Sequence, residues 1–252
     1  MSSSRDISVK RGCQLRVGAL LVLLAGMSAQ AAPPAASEPA GGRVSRTKAE
    51  VEALIAEAGK TKPDWWDATP LKYPETLDLT WSNEGDDTGW QPQKKLGAYM
   101  FSVIGSNPKR YCEGVRLLSH VVTVNKDNPQ RLARSMDALA WAYYELLEDY
   151  ARAVYWWRLA EKVSPGRPRH LIPLARCYYH LGSKEMAVSL IGLYARDDTR
   201  HADLARLWAE MGEPEKALAM AEAKARSGMP DAGYLAAGDI CRQTGDFKRA
   251  YE

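Results

Sequence analysis

The sequence is poor in the groups that carry out chemistry. It holds four cysteines and four histidines in 252 residues. Cys13 falls in an N-terminal leader described below, which leaves Cys112, Cys177 and Cys241. An odd count in an exported chain argues against a disulfide framework, and the absence of C-x-x-C argues against a dithiol redox site. The histidines, His120, His170, His180 and His201, are scattered. His170 and His180 lie ten positions apart (180 − 170), not the three or four that put two ligands on one helix face. No metal site and no cofactor is expected. G-x-S-x-G, H-E-x-x-H, G-x-x-x-x-G-K-S/T and G-x-G-x-x-G are all missing, so the chain lacks the signatures of hydrolase, zinc-protease, P-loop and dinucleotide chemistry. It is not expected to be an enzyme. The apolar run at residues 17–25 is well short of the ~20 residues that a membrane-spanning helix needs.

That short run belongs to a leader. Arg5, Lys10, Arg11 and Arg16 precede it, and Ala29-Gln30-Ala31 follows as a small-x-small cleavage site. Residues 1–31 therefore read as a secretory signal peptide, and the protein is expected to be exported, to the periplasm or outside the cell, with no membrane span after cleavage. Cys13 lies ahead of the apolar run and cannot serve as a lipoprotein acceptor. The leader carries four of the 34 basic and one of the 31 acidic residues, so the remainder holds thirty of each. Bulk charge gives no reason to expect a nucleic-acid partner.

Residues 32–47 are rich in Ala, Pro, Ser and Gly and read as a flexible tether. Residues 48–60 carry Val51, Leu54, Ile55 and Ala58 at helical spacing. Within residues 48–91 this short helix is followed by an irregular segment. Pro63, Pro70 and Pro74 break any helix, residues 77–81 alternate as an extended strand would, and Trp65, Trp66, Trp81 and Trp90 concentrate four of the eight tryptophans. The tryptophans are expected to cap the open apolar end of the helical array behind them. The other reading is a platform that stacks sugars or peptides. Glu84, Asp86 and Asp87 lack the spacing of a calcium loop and read as a solvated turn.

From residue 92 to 252 the pattern is helical and repetitive. Tyr144…Glu148-Asp149-Tyr150…Ala153 returns as Tyr178…Gly182-Ser183-Lys184…Ala187, an offset of 34 (187 − 153). It comes again as Trp208…Gly212-Glu213-Pro214…Ala217 and as Cys241…Gly245-Asp246-Phe247…Ala250. Each glycine can end a helix in the left-handed conformation, and each alanine permits close crossing of the next helix. Cys177 and Cys241 occupy neighbouring register positions where small apolar residues pack, and are expected to be core filler. Residues 92–124 form a further helical pair without these marks.

These residues resemble the tetratricopeptide repeat (TPR) family over about the C-terminal half of the chain. Residues 153–161 also look like the related Sel-one-like repeats. The first repeat departs from the pattern, with Glu148 at the turn glycine and Trp141 where a small residue is usual; the second lacks its terminal proline and the third is shortened. The resemblance implies an all-α, helix-turn-helix solenoid whose first helices line a concave binding face. Register from the turns puts Arg169, Ile172, Arg176, Tyr179, Arg206, Leu235, Asp239 and Arg242 on that face, with Ala138, Ala142, Glu145 and Ala202 beside them. Ala138 and Ala142 stand where the family's chaperone-binding members carry a carboxylate clamp, so that version is not expected.

The resemblance implies an exported scaffold that binds a protein or peptide partner. Arg169, Arg176, Tyr179, Arg206, Asp239 and Arg242 are the candidate contacts, and the arginines suit an acidic segment. The alternative is the accessory or substrate-holding region of an envelope enzyme that processes a polymer, with the tryptophan segment as its platform. The last repeat lacks its second helix at Glu252, so the chain reads as a fragment of a longer protein.

Overall fold

The computed structural model describes residues 44–68, 70–80, 91–105, 107–165, 170–194, 201–226 and 230–251. The leader, most of the tether, Trp81, Trp90, the acidic turn at residues 82–89 and Arg169 lie outside the described residues.

The described chain is all-helical, with adjacent helices packed in pairs. Helix α1 (Lys48–Lys60) begins at a capping box. The Thr47 side chain accepts the Glu50 N–H at 3.3 Å, and the Glu50 carboxylate accepts the Thr47 N–H at 2.6 Å. A helix of this length is marginal alone. Docking stabilises it: Val51 and Ile55 are buried, each worth roughly 1.5–3 kcal/mol. Leu54, placed on the same face by its spacing, points to solvent instead.

A short helix α2 (Leu96–Tyr99) runs into a π-helical turn at Met100–Gly105, and α3 (Tyr111–Val124) follows. The irregular segment before them covers this pair. Leu77 joins Leu96, Tyr99, Ile104, Leu117 and Val121 in a small core of its own, with Leu71, Tyr73 and Leu79 packed against it. The buried Asn125 amide fixes the segment by donating to the Leu79 carbonyl at 3.0 Å. Among the described residues the extended character of residues 77–80 amounts to one isolated bridge, Asp78 to Lys95. Trp65 and Trp66 are half-buried and pack on the main core, not on this one.

Among the described residues the main core is built by Val51 and Ile55 of α1, Val115 and Leu118 of α3 and four helix pairs: α4 (Pro129–Leu147) with α5 (Tyr150–Val163), α6 (Leu171–His180) with α7 (Lys184–Tyr194), α8 (His201–Glu210) with α9 (Pro214–Arg226), and α10 (Pro230–Thr244) with α11 (Phe247–Tyr251). The joints within the last three pairs are built alike. Gly182, Gly212 and Gly245 have φ of 93°, 76° and 79°. The next residue in each case donates its N–H five positions back, Ser183 to Tyr178, Glu213 to Trp208 and Asp246 to Cys241, which closes a Schellman-type end. Asp149, Ser183 and Asp246 then cap the second helix through their side chains. Ala153, Ala187, Ala217 and Ala250 each donate to the carbonyl of the residue four before, the first bond of that helix. Three of these alanines are fully buried and Ala250 is partly so.

Helix α1 does not sit at the end of this array. It lies along α5, where the Tyr155 ring crowds Gly59, and the chain entering it reaches the α6–α7 joint. There the Arg46 N–H donates to the Gly182 carbonyl at 2.9 Å and its guanidinium to the Leu181 carbonyl at 3.0 Å.

Candidate functional site

The first helices of three successive pairs enclose an open cleft of about 230 Å³. Trp141 of α4 forms one wall, the start of α6 supplies His170, Ile172, Pro173 and Arg176, and α8 supplies Asp203 and Arg206. A helix places residues three and four apart on one side, and Asp203 with Arg206, or Ile172 with Arg176, reach the cleft for that reason.

The floor is aromatic. Trp141 meets Trp157 and His170 edge-on at centroid distances of 5.3 and 5.6 Å, and His170 stacks on Trp157 at 5.3 Å. Asp137 holds this cluster: one of its oxygens lies 2.6 Å from His170 Nε2 and accepts the Trp157 indole N–H at 3.0 Å. The Trp141 indole N–H is buried and has no hydrogen-bond partner among the described residues. An orphaned donor of this kind costs about 1–3 kcal/mol.

The arginines divide into two kinds. Arg176 forks onto Glu210 of α8 at 2.6 and 2.8 Å and donates its remaining arm to the Tyr144 hydroxyl of α4 at 2.6 Å. Burial opposes its charge, but Tyr144 and Glu210 outweigh burial and raise its pKa above the ordinary arginine value. Burial also pushes the Tyr144 hydroxyl up to about 12, against the pull of Arg176. Arg176 is thus a bridge between three helix pairs, with its donors committed. Arg206 differs. Its nearest carboxylates, Asp203 and Asp239, lie at 3.6 and 3.7 Å, beyond good hydrogen-bond distance. Its guanidinium donors are only loosely engaged.

Four of the six residues marked by the sequence fall in two neighbouring clefts, which the Arg206–Asp239 ion pair at 3.7 Å joins. Arg176 and Arg206 share the cleft on α4, α6 and α8. Asp239 and Arg242 lie in a second cleft beside α10, where Arg242 donates to Asp239 at 2.6 Å. Tyr179 is half-buried against the main core and lines neither cleft, and Arg169 lies outside the described residues. Ala142, placed on the open face by register, is buried in the core. Trp141, His170, Pro173 and Asp203 were missed as contacts. The signal for Trp141 was visible, since a bulky residue stood where a small one was expected.

Cys177 and Cys241 are buried and Cys112 is half-buried, all as free thiols. Burial pushes the Cys177 thiol far up, against the pull of Arg176, which leaves it unreactive. Among the described residues no cluster of His, Cys, Asp or Glu could hold a metal ion, and no helix is long and apolar enough to cross a membrane. In comparisons with family models, curated proteins and solved structures, nothing matches the chain.

Proposed function

We propose that this protein is an exported scaffold of the tetratricopeptide type, a solenoid whose first helices bind a protein or peptide partner carrying an acidic segment. The observation that carries the reading is the open cleft across three successive first helices, α4, α6 and α8. Its shape suits an extended chain better than a small molecule, since it is shallow and shared by several elements. Its chemistry suits an acidic peptide with an apolar residue. Arg206 has donors to offer a carboxylate, while Ile172, Pro173 and the Trp141 ring offer an apolar wall. Trp65 and Trp66 pack on the core, which favours a structural role for them over a polymer-binding platform.

The test is a peptide array probed with the protein and with Arg206→Glu, both recovered from the cell envelope. Acidic peptides should be enriched, and the reversal should weaken them by roughly two- to tenfold, because a single exposed contact is worth about 0–1 kcal/mol and its reversal somewhat more. It should cost less than about 1 kcal/mol of stability, through the new carboxylate's repulsion by Asp203 and Asp239. Binding should also fall as salt rises. A preference for basic peptides, or indifference to the reversal, would sink the reading. Export has its own check, an N-terminal sequence beginning near Ala32; protein recovered with Met1 intact would contradict it.

A further inference from the structure

The cleft between α4, α6 and α8 has a titratable wall. His170, the N-cap residue of α6, lines it and is half-buried. Its ring is held between an acid and two indoles. Nε2 lies 2.6 Å from an Asp137 oxygen of α4, the ring stacks on Trp157 of α5 at 5.3 Å, and Trp141 of α4 meets it edge-on at 5.6 Å. Three helices thus fix one imidazole in the cleft wall.

The arginines around the cleft stand against carboxylates at every pH near neutral. Arg176 is held by Glu210 of α8. Arg206 stands between Asp203 and Asp239, and Asp239 also pairs with Arg242 of α10. Asp137 differs, since among the described residues its one ion-pair partner is His170. Its other contact, the Trp157 indole N–H, is neutral. Three more charged residues follow on the same sides of α4 and α5: Arg134 one turn before Asp137, Glu145 one turn after Trp141, and Glu161 one turn after Trp157. Partial burial pushes the Glu145 carboxyl up, against the pull of Arg176, which makes it a second titratable group near the cleft. Histidine changes charge between about pH 5 and 8. With His170 neutral, Asp137 is an unbalanced carboxylate behind the wall, and an acidic ligand reaching for Arg206 meets its repulsion. With His170 protonated that carboxylate is cancelled, and the Trp157 face gains a cation to stabilise. A charge in a half-buried wall is screened less than one on the open surface.

We infer that protonation of His170 switches this cleft toward acidic ligands, so that the protein holds its partner more tightly in mildly acidic surroundings than in neutral ones. This rests on the acidic-peptide reading of the cleft and supplies its regulation. The ligand is not the source of the pH dependence, because free Asp and Glu side chains titrate near ~4 and stay ionised through this range. By linkage, a bound acidic ligand favours the protonated imidazole in turn. Binding near neutral pH should therefore take up protons.

Calorimetry on the full chain tests it, with an acidic peptide taken from the array, in low salt at about pH 5.5 and about pH 7.5. Affinity should rise roughly two- to fivefold on acidification. At neutral pH the measured heat should vary with the ionisation heat of the buffer, in the sense of proton uptake. His170→Gln should bind with one affinity at both pH values, near the parent's weaker one, and take up no proton. Asp137→Asn should bind at neutral pH about as tightly as the parent does in acid, because the unbalanced carboxylate is gone. Its amide oxygen can still accept the Trp157 indole N–H, and circular dichroism checks that each variant is folded. Glu145→Gln, and His201→Gln at the start of α8, should keep the parent's response. Equal affinity at both pH values, a response that survives His170→Gln or is lost in Glu145→Gln, or an Asp137→Asn variant no tighter than the parent at neutral pH would overturn the inference and leave the scaffold reading standing. A chain that binds no acidic peptide at either pH would overturn both.

Discussion

At the scale of residues, Glu148 occupies the left-handed position that glycine fills in the three later joints. Its φ is 52°, against 93°, 76° and 79° at Gly182, Gly212 and Gly245. A side chain there costs about 1–2 kcal/mol. The joint also relaxes: the Asp149 N–H reaches back six positions to Tyr143, where the glycine joints close over five. Glu148→Gly should therefore stabilise the protein by up to about 1 kcal/mol, the relief being partly offset by the extra freedom of an unfolded glycine. Gly182→Ala should do the reverse and cost roughly 1–3 kcal/mol, because its new Cβ would sit 2.2 Å from the Val44 carbonyl oxygen as well as in a left-handed backbone. Urea midpoints of the two variants should lie on opposite sides of the parent. Shifts in the same direction would mean that backbone strain is not what distinguishes these turns.

At the scale of elements, α1 is held by charge as well as by Val51 and Ile55. Arg158 of α5 forks onto Glu52 at 2.6 and 2.8 Å and also contacts the Tyr178 hydroxyl of α6. The hydrogen bonds from Arg158 hold the Glu52 carboxyl below its ordinary range, against the opposing effect of partial burial. A carboxyl depressed in the folded state contributes stability above the unfolded value, near ~4.3, and that contribution is lost as pH falls through the lower folded value. Both side chains are more than a third exposed, so the pair is worth no more than about 1 kcal/mol. Glu52→Gln should lower stability by that amount at neutral pH and match the parent in acid. Urea titrations at the two pH values check this; a gap that persists in acid would place the effect in packing, not charge.

Across the whole molecule, Arg176 carries more than its surface position suggests. It links α4, α6 and α8 in one contact set, and in an array of helix pairs each unit is stabilised mainly by its neighbours. Arg176→Ala should cost roughly 1–3 kcal/mol, since the Tyr144 hydroxyl and the Glu210 carboxylate both lose their partner. Arg206→Ala, whose contacts are long, should change stability by less than about 0.5 kcal/mol. If coupling between pairs runs through Arg176, its loss should also broaden the urea transition and lower the apparent slope. Equal effects of the two substitutions would show that the bridge is decorative.

The helix pairs were legible because their determinants are local. The left-handed glycine, the capping Asp149, Ser183 or Asp246 and the small alanine after them act within a few residues, so a 34-residue offset in the sequence reports the joint directly. The candidate site was legible only in part. Arg176 and Arg206 could be placed on first helices by counting from the turns, but nothing in the count distinguishes an arginine consumed by Glu210 from one left loosely paired. That difference depends on contacts 34 residues apart in the chain. The seat of α1 is further out of reach. Its helix follows from the Thr47–Glu50 capping box and its apolar spacing, whereas its place follows from Glu52 meeting Arg158, 106 residues on, and Arg46 meeting Leu181, 135 residues on. Backbone hydrogen bonding and side-chain period are short-range and are written in the order of residues. Which charged surface meets which is decided only when the helices have packed, because many arginines and carboxylates are chemically equivalent partners until distance selects between them.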